Sequence, residues 1–239
     1  MILLFSCSEK RNGYELDCNS EKNKAQNDFK YKNYTWTDFR GLSFGLDAFS
    51  LKQFAKRLEK YDIKFDSIRL TCFISPDDKY ENCYAKEMNT LLKKKFGKPF
   101  FEEQTQLAIK DFVLENRNKD PFGYEHCDDI SRYPNSTIEN QFDKIETDYF
   151  INYPLPKNYI QKTDKKQDYS YTSANFIITE SGEVEGLKVE SSFQNNQNKI
   201  FDNTFNKQVE KFVQNVNWIP AKIQGIDVNS YYGLTIEYK

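Results

Sequence analysis

The chain has 239 residues, 38% hydrophobic and 16% aromatic, with 34 Lys/Arg against 36 Asp/Glu. That length admits one large domain or two small ones, and the near-neutral charge leaves no surplus of cations for gripping nucleic acid. No run of about 20 apolar residues is present to span a membrane as a helix. Tyr 16 and Phe 20 against Trp 2 and Met 2 make the apolar content unusually aromatic. Rings bury large areas, so a chain of mean hydropathy −0.81 can still close a core. The single histidine, His126, excludes an HExxH zinc site and any cluster of two imidazoles.

The first residues, Met1-Ile2-Leu3-Leu4-Phe5-Ser6-Cys7-Ser8, form a short apolar run that ends in cysteine. Leu4, Ser6 and Cys7 resemble the lipobox of a bacterial lipoprotein signal, with Leu at −3, a small residue at −1 and Cys at +1. A full signal carries a basic region and a longer apolar run, so either the true start lies upstream or the likeness is accidental. The resemblance implies residues 1–7 as a signal remnant, Cys7 as the acylated first residue and a lipid anchor. A buried N-terminal strand is the alternative. Residues 8–40 are polar at first, rich in Lys, Asn and Glu through Asn33, and read as a flexible tether.

Residues 41–130 read as a first module. Ser50-Leu51-Lys52-Gln53 has the pattern of a capping box, and Leu51, Phe54, Ala55, Leu58 and Tyr61 follow as a helical face. Ile68, Leu70, Cys72 and Ile74 alternate with the period of a strand. Pro76-Asp77-Asp78-Lys79 is turn chemistry, and Tyr80–Ala85 is the expected return strand. Cys72 and Cys83 are equidistant from that turn, so a bridge between opposed hairpin positions is the favoured pairing. Cys18–Cys127 follows by elimination. Four cysteines allow three pairings, and four reduced thiols remain the alternative. Met88, Leu91 and Leu92 suggest a short helix stopped by Gly97 and Pro99.

The chain repeats itself at a distance of about 100 residues. Phe101, Thr105, Ala108, Ile109, Phe112 and Val113 mark one amphipathic helix, and Phe201, Phe205, Val209, Phe212, Val213 and Val216 trace the same stripe. Ahead of the second helix, Ala174–Ile178, a turn at Ser181-Gly182 and Val184–Val189 form a hairpin pattern. Shifted by 104, it overlays the first hairpin and places Cys72 and Cys83 at core-facing positions. Between the copies, Asn118–Lys166 is polar, aromatic and broken by prolines, a long connection with one extra strand; residues 131–170 are its connector in the domain division.

The second copy, residues 171–239, carries a family resemblance. Gly182-x-Val184-x-x-Leu187-x-Val189, an amphipathic helix, Trp218-x-Pro220-Ala221-x-x-x-Gly225-x-x-Val228 and the last strand Tyr231–Tyr238 are similar to the TonB C-terminal domain. The resemblance implies an α+β fold of two tandem ββαβ modules, the first degenerate because it lacks the W-x-P-A-x-x-x-G block. In that family the last strand takes up a peptide segment of outer-membrane receptors. Carried to this chain, the strand-adding residues are Tyr231, Tyr232, Leu234, Thr235, Ile236 and Glu237. TonB transducers also have a membrane helix and a proline-rich rod; neither pattern occurs in these residues, so energy coupling is not carried over. Trp218 is expected as a lid on the core, and Gly225 as a positive-φ turn into the last strand.

The expected function is therefore a non-enzymatic, lipid-anchored envelope protein in the periplasm that binds a peptide strand or partner protein, with a link to outer-membrane transport. It needs no cofactor, metal or nucleic acid. The alternatives are an envelope enzyme using Asp77/Asp78, Asp128/Asp129, Glu125 and His126, or an immunity-type inhibitor. Paired carboxylates can do acid–base work when their pKa values are split, but adjacent acids are commonly turn residues.

Overall fold

The computed structural model describes residues 8–41, 45–69, 82–161 and 169–239, and the fold is α+β. The chain divides into two compact units, one ending at Phe112 and the other beginning at Val113.

In the first unit, the expected tether is ordered structure. Ser8–Lys30 forms a helix, α1, and Tyr34–Arg40 forms a strand, β1. Over residues 17–30 most of its side chains are exposed. What holds it is local: Ala25 is fully buried, the Tyr84 hydroxyl donates to Asp28, and a disulfide joins Cys18 to Cys83. The crossover that follows contains α2 (Leu46–Phe49) and α3 (Leu51–Glu59), and leads to β2, Ile63–Arg69. β1 and β2 pair in parallel, from Tyr34↔Ile63 to Arg40↔Arg69. Parallel neighbours require such a crossover. Phe54 and Leu58 on α3 are buried as expected, but the capping box does not form: the Ser50 hydroxyl turns back to the Asp47 carbonyl at 3.4 Å.

The expected first hairpin falls largely on residues 70–81, outside the described residues, and Cys72, Asp77 and Asp78 lie there too. Its return strand is corrected where it can be seen. Cys83–Phe96 is a helix, α4, entered through Asn82 in the left-handed region (φ 61°) and left through Gly97 (φ 88°). Ala85, Met88 and Leu92 fall at i, i+3 and i+7 and are buried, so helical period overrides the hairpin reading. Cysteine pairing changes with it. Cys83 bonds to Cys18, closing 65 residues of chain, and Cys127 is a free thiol, so neither Cys72–Cys83 nor Cys18–Cys127 forms. Helix α5, Lys98–Asn116, follows, with Phe101, Ala108, Ile109 and Val113 buried on the predicted stripe. Trp36 stacks on Phe101, ring centroids 3.7 Å apart, at the centre of this unit's core. On the side of β1 away from β2, the Asn89 side chain accepts from the Thr37 N–H (2.9 Å) and donates to the Thr37 carbonyl (2.6 Å).

The second unit contains the hairpin, helix and last strand that the sequence predicts. β3 (Ser170–Ile178) and β4 (Val184–Ser192) are antiparallel, and β5 (Ala221–Ile223) and β6 (Ile226–Val228) form a separate small ladder. β7 (Ser230–Tyr238) pairs with β3 along its whole length, giving the sheet order β4-β3-β7. Gln224 (φ 50°) and Gly225 (φ 75°) make the left-handed turn between β5 and β6. Alternation along β3 sends Thr172, Ala174, Phe176 and Ile178 inward, where Phe205, Val209, Phe212 and Val213 of α7 (Asp202–Gln214) cover them.

The connector is also corrected. It contains a helix, α6 (Gln141–Asn152), whose Ile145 and Tyr149 enter the same core beside Tyr238. Phe142, Ile145, Tyr149 and Tyr153 repeat there at i, i+3, i+7 and i+11, a short helical stripe set in polar, proline-broken sequence. Trp218 is buried as expected; its indole N–H donates to the Val213 carbonyl at 3.0 Å.

Opening the Cys18–Cys83 bridge removes the constraint on a long loop. Cys18→Ser with Cys83→Ser is expected to cost about 2–4 kcal/mol in urea unfolding. Peptide mapping without reductant is expected to recover Cys18 linked to Cys83, with Cys127 alkylatable.

Candidate functional site

The last strand of a three-stranded sheet has a second edge, and β7 shows where that edge is used and where it is open. The Asn229 N–H donates to the Arg117 carbonyl (2.8 Å), the Phe122 N–H to the Asn229 carbonyl (2.8 Å), and the Tyr231 N–H to the Phe122 carbonyl (3.1 Å). Phe122 thus lies on the strand as a short parallel neighbour of Ser230. Backbone groups alternate sides along a strand, so Gly233, Thr235 and Glu237 direct theirs the same way as Tyr231. Among the described residues, none makes a backbone hydrogen bond to these three.

The predicted binding residues fall into two groups. Leu234 and Ile236 point inward and are buried, so their side chains belong to the core; Tyr231, Thr235 and Glu237 are exposed, and Tyr232 is half-buried. The Tyr232 hydroxyl donates to Gln141 on α6 at 2.7 Å, and burial pushes its phenol well above the ordinary range. At the far end of the strand, Lys239 pairs with Glu146 at 3.0 Å.

Beside this edge the connector, α6 and β7 enclose a cavity of about 220 Å³. Ile130, Ile138, Phe142, Tyr231 and Tyr232 line it, with the buried Ser131 and Ser230 hydroxyls 2.7 Å apart in its wall. None of its described lining residues is charged. At its mouth, Tyr124, Ile138, Phe142 and Tyr231 are each more than half exposed. Tyr124 and Tyr231 also wall an open groove of about 510 Å³ on the outer face of the sheet, over Asn175, Ile177, Lys188 and Gly233. Sequence reading missed the cavity because its lining residues, between Tyr124 and Phe142 and again at Ala221 and 230–233, lie far apart in the chain. An available signal was the alternation of apolar Ile130, Ile138 and Phe142 with polar connector residues.

The carboxylates considered for acid–base chemistry are held in structural contacts. The Asp128 carboxylate accepts from the Gln224 N–H (2.5 Å), and the backbone N–H groups of Asp128 and Asp129 donate to the Lys222 carbonyl. The Asp129 side chain pairs with Arg132. Glu125 folds back toward Gly123, where a β-carbon would collide with its carboxylate, and its oxygen lies 3.8 Å from His126. These groups pin the connector to the β5–β6 ladder. Among the described residues, no three His, Cys, Asp or Glu side chains converge as a metal site, and no helix is long and apolar enough to cross a membrane. Cys7 lies outside the described residues.

Comparison of the chain with protein-family models, with curated proteins and with solved structures finds no match in any of the three.

The one free cysteine among the described residues sits in the wall of the cavity. Burial, then the Asp128 and Glu125 carboxylates, push the Cys127 thiol up to about 11. A raised pKa keeps the thiol protonated, so alkylation at Cys127 at pH 8 is expected to run roughly a hundredfold slower than at an unshifted thiol. Mapped by mass spectrometry, the rate should climb about tenfold per pH unit until near pH 11. A plateau near pH 9 would contradict this burial.

Proposed function

We propose that this chain is a non-enzymatic envelope protein that captures an extended peptide by adding it as a strand to β7. The observation that carries the reading is the edge itself: Phe122 already pairs with its first residues, and Gly233, Thr235 and Glu237 continue it with backbone groups that no described residue claims. Such an edge gives affinity through main-chain hydrogen bonds and leaves specificity to the flanking pockets.

The likeness to the TonB C-terminal domain supports the same reading for residues 171–239, where hairpin, helix, Trp-x-Pro-Ala block and last strand follow in that order. The proposal rests on this module alone. Phe101–Val113 and Phe201–Val213 are related as helices, but among the described residues the parallel β1–β2 pair has no counterpart strand pair in the second unit. The partner proposed is a segment of an outer-membrane receptor or another envelope protein, with Cys7 as lipid anchor on the periplasmic side. The Cys18–Cys83 disulfide favours that oxidising compartment. The engaged carboxylates of the connector weigh against the enzyme reading.

Thr235 tests the edge, because its N–H faces outward and its side chain lies on the exposed face. Thr235→Pro in the full chain is expected to keep the circular dichroism spectrum and to weaken binding to an array of receptor-derived segments at least about tenfold. Thr235→Val should bind as the parent does. Equal binding by all three proteins would overturn strand addition at β7.

A further inference from the structure

The cavity beside β7 has the dimensions of a site for a single aromatic ring. Benzene, with six non-hydrogen atoms, fits a cavity of about 150 Å³, so about nine such atoms fit in 220 Å³. Ile130, Ile138 and Phe142 give it apolar wall. Two polar groups in the same wall have hydrogens to offer. Gln141, only 2% exposed, accepts the Tyr232 hydroxyl on its amide oxygen at 2.7 Å. That bond settles which end of the amide is which, and the NH₂ end makes no hydrogen bond to a described residue. The Ser131 and Ser230 hydroxyls, also buried, lie 2.7 Å apart. One of their two hydrogens fills that contact, and the other has no acceptor among the described residues.

An unpaired donor in an apolar wall is costly, so both groups favour a guest that brings an acceptor. Charge is disfavoured. None of the described lining residues is charged, and an ion entering here would give up its hydration without gaining a counter-ion. Burial and, after it, the Asp128 and Glu125 carboxylates raise the Cys127 thiol of this wall, so an anion would meet a negative field there as well. We propose that the cavity binds a small neutral aromatic carbonyl compound, its ring against Ile130, Ile138 and Phe142 and its carbonyl oxygen on the Gln141 NH₂. About nine non-hydrogen atoms make one ring bearing an acetyl group. The Ser131–Ser230 pair supplies a second donor. The site does not depend on strand addition, since it uses side chains and not the backbone of the edge.

The test titrates the full chain, labelled at its isoleucine methyl groups, with acetophenone, its hydrocarbon isostere α-methylstyrene, and benzoate, and reads binding by nuclear magnetic resonance. Acetophenone is expected to shift the Ile130 and Ile138 methyl resonances saturably and to leave Ile63 of the first unit unmoved. Benzoate should bind at least about tenfold more weakly. Gln141→Met, close in shape but without the donor, should weaken acetophenone about fivefold relative to α-methylstyrene, the worth of one net hydrogen bond. In the unmutated chain, the Gln141 NH₂ resonances should move downfield with acetophenone beyond the ring-current shift that α-methylstyrene gives, a reading that needs no variant to fold. No saturable shift at Ile130 and Ile138 would overturn the site. Benzoate binding as tightly as acetophenone would overturn its preference for a neutral guest. Equal losses for both rings in Gln141→Met, with no excess downfield shift, would overturn the carbonyl contact.

Discussion

Trp218 governs how the second unit closes. Its carbonyl lies where a β-carbon of Gly182 would stand, so the β3–β4 turn can rest on it only because residue 182 is glycine, at φ +82°. Below that contact the indole packs on Phe176 and Tyr232, one from each of two adjacent strands, and bonds to the last turn of α7. Sheet, helix and exit segment are thereby tied at one ring. Pro220 then leads the chain into the β5–β6 ladder, which the Asp128 and Asp129 region grips. The connector is held against β7 by this chain of contacts, and the edge and its cavity depend on it.

Polarity explains the architecture on both sides of that anchor. With 38% hydrophobic residues the chain can cover one face of a three-stranded sheet with aromatic side chains but not both. Phe205 and Tyr238, 4.2 Å apart, and the Tyr149–Phe212 contact show where the rings were spent. The outer face is left to Ser173, Asn175, Lys188 and Thr235, with a glycine at the edge. A face so thinly covered is where a ligand can be read by side chains instead of by core packing.

What the sequence revealed, and what it hid, follow from the range of the interactions. Strict alternation made β3 and β7 legible, and strong apolar stripes did the same for α3, α5 and α7, because each pattern is local. α1 was hidden because its order comes from a bond to Cys83, 65 residues away, and from the single buried face at Ala25. The helix at Met88, Leu91 and Leu92 stopped by Gly97 was legible as the body of α4, and only its start was misread, because a cysteine spacing that suits a hairpin also fits the first turn of a helix. For the site, the strand was legible and the cavity was not. Gln141 and Phe142 reach β7 from 90 residues earlier, a proximity that no local pattern encodes.

The Asn89–Thr37 pair has a consequence for behaviour in concentrated solution. A side-chain amide that donates and accepts at one residue takes the place of a neighbouring strand at the middle of β1. That position of β1 can no longer template another chain. The two units therefore treat their exposed ladders in opposite ways: one is plugged by an amide carried on a helix, and the other is kept vacant. The edge of β7 beyond Tyr231 carries the stickiness that the amide removes from the middle of β1, and there it is useful.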